Sequence, residues 1–161
     1  MASRRRARQF ALQALYAWDQ SDLGVDAVMQ RLWSGLGGSE DGAEKPAASA
    51  EIEFASRLTQ GVEKRQDEID ALIEAASVNW RLVRMPVVDR NILRLAGYEL
   101  LACHDIPPSV SINEAVELAK RYGDKDSRAF VNGILDRIAS DTGRGGRRNR
   151  RGKSRTRTRK D

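Results

Sequence analysis

The sequence predicts an all-α protein, a compact bundle of six to seven helices. Apolar residues recur at intervals of three and four in several segments, which is the spacing of one helix face. No segment shows the alternation of apolar and polar residues that is typical of a strand. With 161 residues, 40% of them hydrophobic and 32% charged, the chain has room for one domain with a true core. We expect this domain to span residues 1–141.

The first two helices are predicted from their apolar faces. Ser3 suits the N-cap of the first helix. Its inward face is predicted to comprise Ala7, Phe10, Ala11, Ala14, Leu15 and Trp18. The same spacing in the second helix involves Val25, Val28, Met29, Leu32 and Trp33. Residues 35–49 are rich in Gly, Ser, Pro and acids, so we expect a mobile loop there.

The middle of the chain is also helical in pattern. From about Ser49, helical spacing predicts one long helix or two nearly continuous ones, with Phe54, Leu58, Val62, Ile69, Leu72, Ile73 and Ala76 inward. Residues 79–84 are ambiguous, and a short helical turn is one interpretation of them. Pro86 fits the start of the next helix. Apolar residues cover more than one face of that helix, which predicts a central position.

The last two helices follow a break at the sequence IPPS. Ser111 and Glu114 match the S-x-x-E capping box, which predicts a helix that begins there and ends at Gly123. The final helix is expected from about Asp126, and Gly133 within it suggests a close helix crossing. Residues 142–161 contain no apolar side chain, so we predict a disordered basic tail.

The composition excludes several classes of function. No apolar run approaches the roughly 18–20 residues that cross a bilayer, and the single cysteine, Cys103, excludes an intramolecular disulfide. We therefore expect a cytoplasmic protein without membrane association. Cys103 and His104 alone are too few ligands for a zinc site, and the glycine-rich stretches lack the ending of a phosphate loop. We predict no enzymatic activity, no catalytic residue, no metal and no cofactor.

Positive charge is concentrated at the two ends of the chain. The net charge is +5, with +4 in residues 1–8 and +9 in residues 144–161, which leaves −8 on the rest. A molecule with an acidic body is not drawn to polyanions by its overall charge. Nucleic-acid binding therefore has to come from local basic patches.

The first helix carries a second, outward face. Arg5, Gln9, Leu12 and Tyr16 are predicted to lie opposite the apolar face, in one line. Single-stranded RNA needs cations for its phosphates and flat side chains for its unstacked bases, and this face offers both. The alternative is that the arginines form a solvated helix start and that Tyr16 packs against another helix.

Three stretches, in this order, resemble the NusB family of transcription antitermination factors. They are RRRARQFALQALYAW, VDRNILRLAGYEL and IPPSVSINEAVELAKRYGDKDSRAFVNGILDRI. The resemblance covers roughly residues 4–139. It implies two small helical bundles around a long central helix, and a non-enzymatic role. It also implies binding to the boxA RNA of ribosomal RNA operons together with NusE, a ribosomal small-subunit protein, within the RNA polymerase antitermination complex that also supports ribosome assembly.

The resemblance implies specific RNA-binding residues. The family has an arginine-rich motif, an exposed tyrosine, an acid and a base near the RNA, and two positions on the RNA and partner surface. The corresponding residues of this sequence are, in the same order, Arg4, Arg5, Arg6 and Arg8, then Tyr16, then Asp89 and Arg94, and finally Asp126 and Phe130. Alternatives stay open for three of them. Phe130 could belong to the core, Asp126 could be an N-cap, and Arg94 could pair with a neighbouring helix.

Two other functions compete with specific RNA binding. A purely structural oligomerisation module would use the arginines for solubility only. A NusB-like domain also precedes some RNA cytosine methyltransferases, but a catalytic domain would then have to follow, and a basic tail follows instead. A homodimer is possible, and the helix faces do not decide between monomer and dimer. The tail is expected to add affinity for any RNA without adding sequence preference, and the alternative is a solvated extension that only adds solubility.

Overall fold

The structure, a computed structural model, describes residues 3–36, 48–78 and 80–144. It confirms the all-α prediction. The seven helices of the described ranges are α1 (Arg4–Asp19), α2 (Val25–Leu36), α3 (Ser49–Lys64), α4 (Gln66–Ala76), α5 (Val87–Ala102), α6 (Pro108–Tyr122) and α7 (Ser127–Asp141), and a 3₁₀ turn spans Leu82–Arg84. Most of the predicted loop at 35–49 and of the predicted tail lies outside the described residues.

Helix α1 begins as the sequence predicts. The Ser3 hydroxyl accepts a hydrogen bond from the backbone N–H of Arg6 at 3.2 Å. Such a cap stabilises a helix by about 1 kcal/mol. The backbone N–H of Ser3 also donates to Oε1 of Glu51 at 3.0 Å, which ties the start of α1 to α3.

The segment from Ser49 forms two helices, separated at a single residue. α3 ends at Lys64, and the backbone N–H of Arg65 donates to the Gly61 carbonyl at 3.1 Å. α4 begins at Gln66. The segment after α4, which the sequence leaves ambiguous, contains the 3₁₀ turn Leu82–Arg84, as one interpretation predicts.

Helix α5 lies at the centre of the fold, as its apolar pattern predicts. It packs against α1 and α3 on one side and against α4, α6 and α7 on the others. A close approach occurs at Gly61 of α3, where a Cβ atom would lie 2.0 Å from Cζ of Tyr98. The close crossing predicted at Gly133 is wrong, because a Cβ there would meet nothing within 4 Å.

The predicted capping box is also wrong. α6 begins at Pro108, so Ser111 lies inside the first turn. The Ser111 hydroxyl donates to Glu99, and Glu114 pairs with Arg5 instead of closing a cap. The two prolines start the helix because their fixed φ suits the first positions. The predicted end at Gly123 is confirmed.

The described chain continues past α7 to Arg144. The Arg144 guanidinium donates to the backbone carbonyls of Leu100 at 3.2 Å and Ile106 at 2.9 Å. The first residues after α7 therefore pack against the body. No described helix has both the length and the apolar character needed to span a bilayer.

Candidate nucleic-acid interface

The first two arginines of α1 lie at the surface, each beside a carboxylate. Nε and Nη2 of Arg5 donate to the two carboxylate oxygens of Glu114, each at 3.1 Å, and this hydrogen bonding raises the pKa of Arg5. The Arg5 side chain remains 60% exposed. Nη2 of Arg4 lies 4.0 Å from Asp105, and its guanidinium covers the ring of Phe54 at 4.5 Å. Exposed pairs of this kind are weak, so a phosphate can replace the carboxylate.

Arg6 is half-buried. Its Nε lies 3.8 Å from Oε2 of Glu51, a buried oxygen without a hydrogen-bond partner among the described residues. The Arg6 guanidinium also lies over the Phe10 ring at 5.2 Å. Arg6 therefore compensates a buried charge at the junction of α1 and α3.

Arg8, which was predicted to bind RNA, is buried. Its Nη2 donates to Oε1 of Glu99 at 2.6 Å, and its Nε donates to Oε2 at 3.0 Å. The Ser111 hydroxyl donates to the same carboxylate at 3.1 Å. The three residues join α1, α5 and α6 in the interior. Arg8 therefore positions α1 and is not available to a ligand in this conformation.

Fewer residues of the outward face of α1 are exposed than predicted. Tyr16 is 46% exposed, so about half of its surface packs against the protein, as the alternative predicted, and the other half is open to solvent. Gln9 is half-buried. Leu12 was predicted to face outward but is buried, because α1 is packed by α2, α3 and α5 and few of its positions stay open. Arg5 and Tyr16 are the exposed ends of this face.

Arg94, which was predicted near the RNA, is buried in a network of charges. Its Nη1 donates to Asp19 of α1 at 2.8 Å, and its Nε donates to Asp70 of α4 at 2.9 Å. The alternative, that Arg94 pairs with a neighbouring helix, is confirmed. Burial alone raises the pKa of Asp19, but hydrogen bonds from Arg90 and Asn91 outweigh it, so the pKa lies below its ordinary value.

Asp89, which was also predicted near the RNA, is buried as well. Its Oδ1 accepts a hydrogen bond from the Ser127 hydroxyl at 2.8 Å, which fixes the start of α7 against α5. Burial raises the pKa of Asp89, and the hydrogen bond from Ser127 offsets only part of this effect. The carboxylate holds two helices together and does not face a ligand.

Asp126 and Phe130 lie at the start of α7, at the surface. Asp126 is exposed and occupies the N-cap position, but its side chain makes no capping hydrogen bond. Phe130 packs partly against the core, and its ring meets the ring of Trp80 edge to face, with centroids 6.3 Å apart. Phe130 therefore belongs partly to the core, as the alternative predicts, and partly to the surface.

Sequence reasoning missed the segment from Val78 to Arg84. Trp80 is 52% exposed, and Arg81 and Arg84 beside it are exposed too. The available signal was the combination of tryptophan and two arginines within five residues. The ambiguous secondary structure of residues 79–84 hid that signal. No group of three or more potential metal ligands occurs in the described part of the chain.

Comparison with known sequences identifies relatives of this chain. A sequence model of the NusB family matches residues 5–140. The transcription antitermination protein NusB of Myxococcus xanthus (strain DK1622) is 48% identical over 139 residues, covering 86% of this chain and 96% of that protein. The protein of the same name from Trichlorobacter lovleyi is 50% identical over 138 residues, covering 86% and 91%.

Solved structures share the fold. T. maritima NusB superposes with a TM-score of 0.76 at 39% identity, covering 88% of this chain and 94% of that chain. A crystal structure of the antitermination factors NusB and NusE in complex with dsRNA contains a chain with a TM-score of 0.73 at 28% identity, covering 86% and 96%. The family match over most of the chain and the identities near one half leave one conclusion: the chain belongs to the NusB family of transcription antitermination proteins.

Proposed function

We propose that this antitermination protein binds boxA RNA together with NusE, in the cytoplasm and without catalysing a reaction. The observation that carries the proposal is the pair of exposed side chains at the two ends of one face of α1, Arg5 and Tyr16, with Arg4 exposed beside Arg5. A solved relative of the same fold was crystallised with NusE and dsRNA, which supports the proposal.

The exposed arginines bind phosphates by exchanging partners. Arg4 and Arg5 leave Asp105 and Glu114 and turn to the RNA backbone, where a guanidinium forms two hydrogen bonds with one phosphate. The N-terminus of α1 adds its partial positive charge at the same place. Tyr16, three turns further along, offers a ring to an unstacked base. Phosphate contacts give affinity, and the ring contributes preference.

The buried members of the predicted set act as positioning residues. Arg8 fixes the first half of α1 to α5 through Glu99, and Arg94 fixes its end through Asp19. The two anchors hold Arg5 and Tyr16 at a constant separation along a rigid helix. Preorganisation of this kind lowers the entropy lost on binding.

The test is a titration with boxA RNA and with a scrambled RNA of the same composition, each with and without NusE. We expect tighter binding of boxA, and we expect the Arg5→Ala and Tyr16→Ala variants to reduce the preference. Arg31→Ala on α2 is the matched control, because Arg31 is exposed and no described residue pairs with it. Equal binding of both RNAs by the wild-type protein at moderate salt would contradict the proposal.

A second candidate, a structural oligomerisation module, is favoured by one observation. All four arginines at the start of α1 have a carboxylate partner in their own chain. In that case sizing would show an oligomer, and Arg5→Ala would change RNA binding no more than Arg31→Ala.

A further inference from the structure

Two aromatic rings meet at the surface between α4 and α7. The Trp80 and Phe130 rings lie at an interplanar angle of 65°, with Phe130 partly packed into the core. The backbone N–H of Trp80 donates to the Ser77 carbonyl at 3.2 Å, which fixes the turn that carries the indole. The indole is therefore braced on one side by Phe130, while half of its surface stays open to solvent.

In the turn after Trp80, an apolar side chain is exposed to solvent. Leu82 is buried, and its backbone N–H donates to Oε1 of Glu74 at 3.2 Å. Because Leu82 points inward, Val83 points outward and is 76% exposed. Val78, before Trp80, is exposed to a similar degree. Val78, Trp80 and Val83 are thus three exposed apolar side chains within six residues, and exposed apolar side chains that lie together are typical of a binding surface.

The cations beside these rings differ from those of α1. Among the residues that the structure describes, no carboxylate pairs with the guanidinium of Arg81 or Arg84, although both are exposed. Arg4, Arg5, Arg6 and Arg8, by contrast, each lie beside a carboxylate. A phosphate that binds Arg81 or Arg84 displaces no ion pair, so these two side chains are the more available anion ligands.

We propose that Trp80, Phe130, Arg81 and Arg84 form a second contact surface for single-stranded RNA, in which an unstacked base lies on Trp80 and the arginines bind flanking phosphates. This proposal rests on the proposed function and adds Trp80, Arg81 and Arg84 to the RNA surface that the family resemblance implies at Phe130. Stacking on an exposed ring and charge pairing with unpaired guanidiniums are the two interactions by which proteins bind single strands.

The contacts in the structure connect this surface to Tyr16. Asp19, less than one turn after Tyr16, accepts a hydrogen bond from Nε of Arg90 at 2.7 Å. The neighbour of Arg90, Asp89, binds Ser127 at the start of α7, and Phe130 follows one turn later. The helices that carry Tyr16 and Phe130 are thus both bound to α5, α1 through Arg90 and α7 through Asp89.

The experiment measures RNA affinity of the full chain with Trp80 replaced. Trp80→Ala should weaken binding of boxA RNA roughly 5- to 150-fold, the range for loss of one stacked base. Trp80→Phe should retain most of the affinity, because it keeps a flat ring. The control is Leu23→Ala, which removes an exposed apolar side chain before α2. Circular dichroism verifies that each variant is folded.

The arginines are tested separately. The double variant Arg81→Ala/Arg84→Ala should lower affinity for all RNAs and reduce the salt dependence, whereas Arg31→Ala/Arg137→Ala, which removes two other exposed arginines, should have a smaller effect. Binding of RNA should also quench the fluorescence of the wild-type protein more than that of Trp80→Phe.

Three outcomes overturn the proposal. In one, Trp80→Ala binds RNA like the wild type while Arg5→Ala and Tyr16→Ala lose the boxA preference, so the proposed function stands and this surface is not part of it. In another, Trp80→Ala loses affinity for NusE but not for RNA, which makes the surface a protein-docking site. In the last, the double arginine variant behaves like its control. A wild-type protein without boxA preference instead contradicts the proposed function itself.

Discussion

The guanidinium of Arg8 and the carboxylate of Glu99 form a hydrogen-bonded ion pair in the interior, between α1 and α5. Both side chains are almost completely buried. A charge in that position is tolerated only with its partner, because removal of one member leaves the other desolvated and uncompensated. The pair therefore makes the placement of α1 dependent on one contact.

We expect Glu99→Gln to lower the free energy of unfolding by about 3–5 kcal/mol, because the Arg8 charge loses its counterion in a dry site. Urea unfolding followed by circular dichroism measures the change. Glu68→Gln, which removes a carboxylate from an exposed pair with Arg65, is the control and should cost less than about 1 kcal/mol. A loss for Glu99→Gln no greater than that of the control would show that the interior pair contributes nothing.

Glu114→Gln should increase affinity for RNA, because Arg5 then reaches a phosphate without leaving a carboxylate. The expected gain is roughly two- to fivefold, the equivalent of one exposed ion pair. Filter binding or fluorescence anisotropy at fixed salt measures it. Glu68→Gln again serves as the control, since it adds the same unit of charge away from α1. Equal gains in the two variants would attribute the effect to net charge alone.

Asp89→Asn should stabilise the protein at neutral pH. A carboxyl group whose pKa is raised on folding binds its proton more tightly in the folded state, so the wild-type protein loses stability as pH rises from the ordinary Asp pKa through the raised one. Asparagine keeps an oxygen that accepts from Ser127 and carries no charge. The advantage of the variant should be largest at pH 7 and disappear below about pH 4.

Thermal unfolding as a function of pH measures this effect, with Asp126→Asn as the exposed control. A variant that is less stable than the wild type at pH 7 would mean that the charged form of Asp89 is the one the fold requires.

Gly61→Ala should destabilise the protein, because the new methyl group overlaps the Tyr98 ring. We expect a loss of about 1–3 kcal/mol, as for other overpacked sites. Gly133→Ala should stabilise by about 0.5–1 kcal/mol, because a helical alanine costs less backbone entropy and the site is open. Unfolding midpoints of the two variants in the same buffer should therefore move in opposite directions.

Truncation after Arg144 should lower affinity for all RNAs with little change in boxA preference. Residues 145–161 contain nine of the ten basic residues of the chain end, and unspecific phosphate contacts add affinity without reading bases. Parallel titrations of boxA and scrambled RNA with the truncated chain provide the measurement. Loss of preference in proportion to affinity would assign the tail a direct part in recognition.

The helices could be predicted from the sequence because amphipathic spacing is a local signal. α1, α2 and α5 have apolar residues where the spacing places them, and α5 is central as its all-round apolar character indicates. The start of α6 could not be predicted from the Ser111–Glu114 pattern, because both side chains are used by other helices. Ser and Glu serve both in helix caps and in contacts between helices, so the S-x-x-E pattern alone does not distinguish the two roles.

The candidate interface was harder to predict for a physical reason. Arg5 and Arg8 lie in one basic run, but one is exposed and the other buried, and only the position of α5 and α6 separates them. Asp89 and Arg94 were predicted beside RNA but belong to interior pairs. Trp80 was overlooked because its packing partner is Phe130, which is fifty residues away in sequence and in contact in space.

The carboxylates beside Arg4 and Arg5 have a consequence for how binding data are interpreted. Each phosphate that an unpaired arginine neutralises releases a cation from the counterion atmosphere of the RNA, and this release steepens the salt dependence. Here the arginine leaves behind a carboxylate that stays on the protein surface and attracts a cation from solution, so the net release is smaller. A slope of affinity against ionic strength therefore underestimates the footprint of the nucleic acid on this protein.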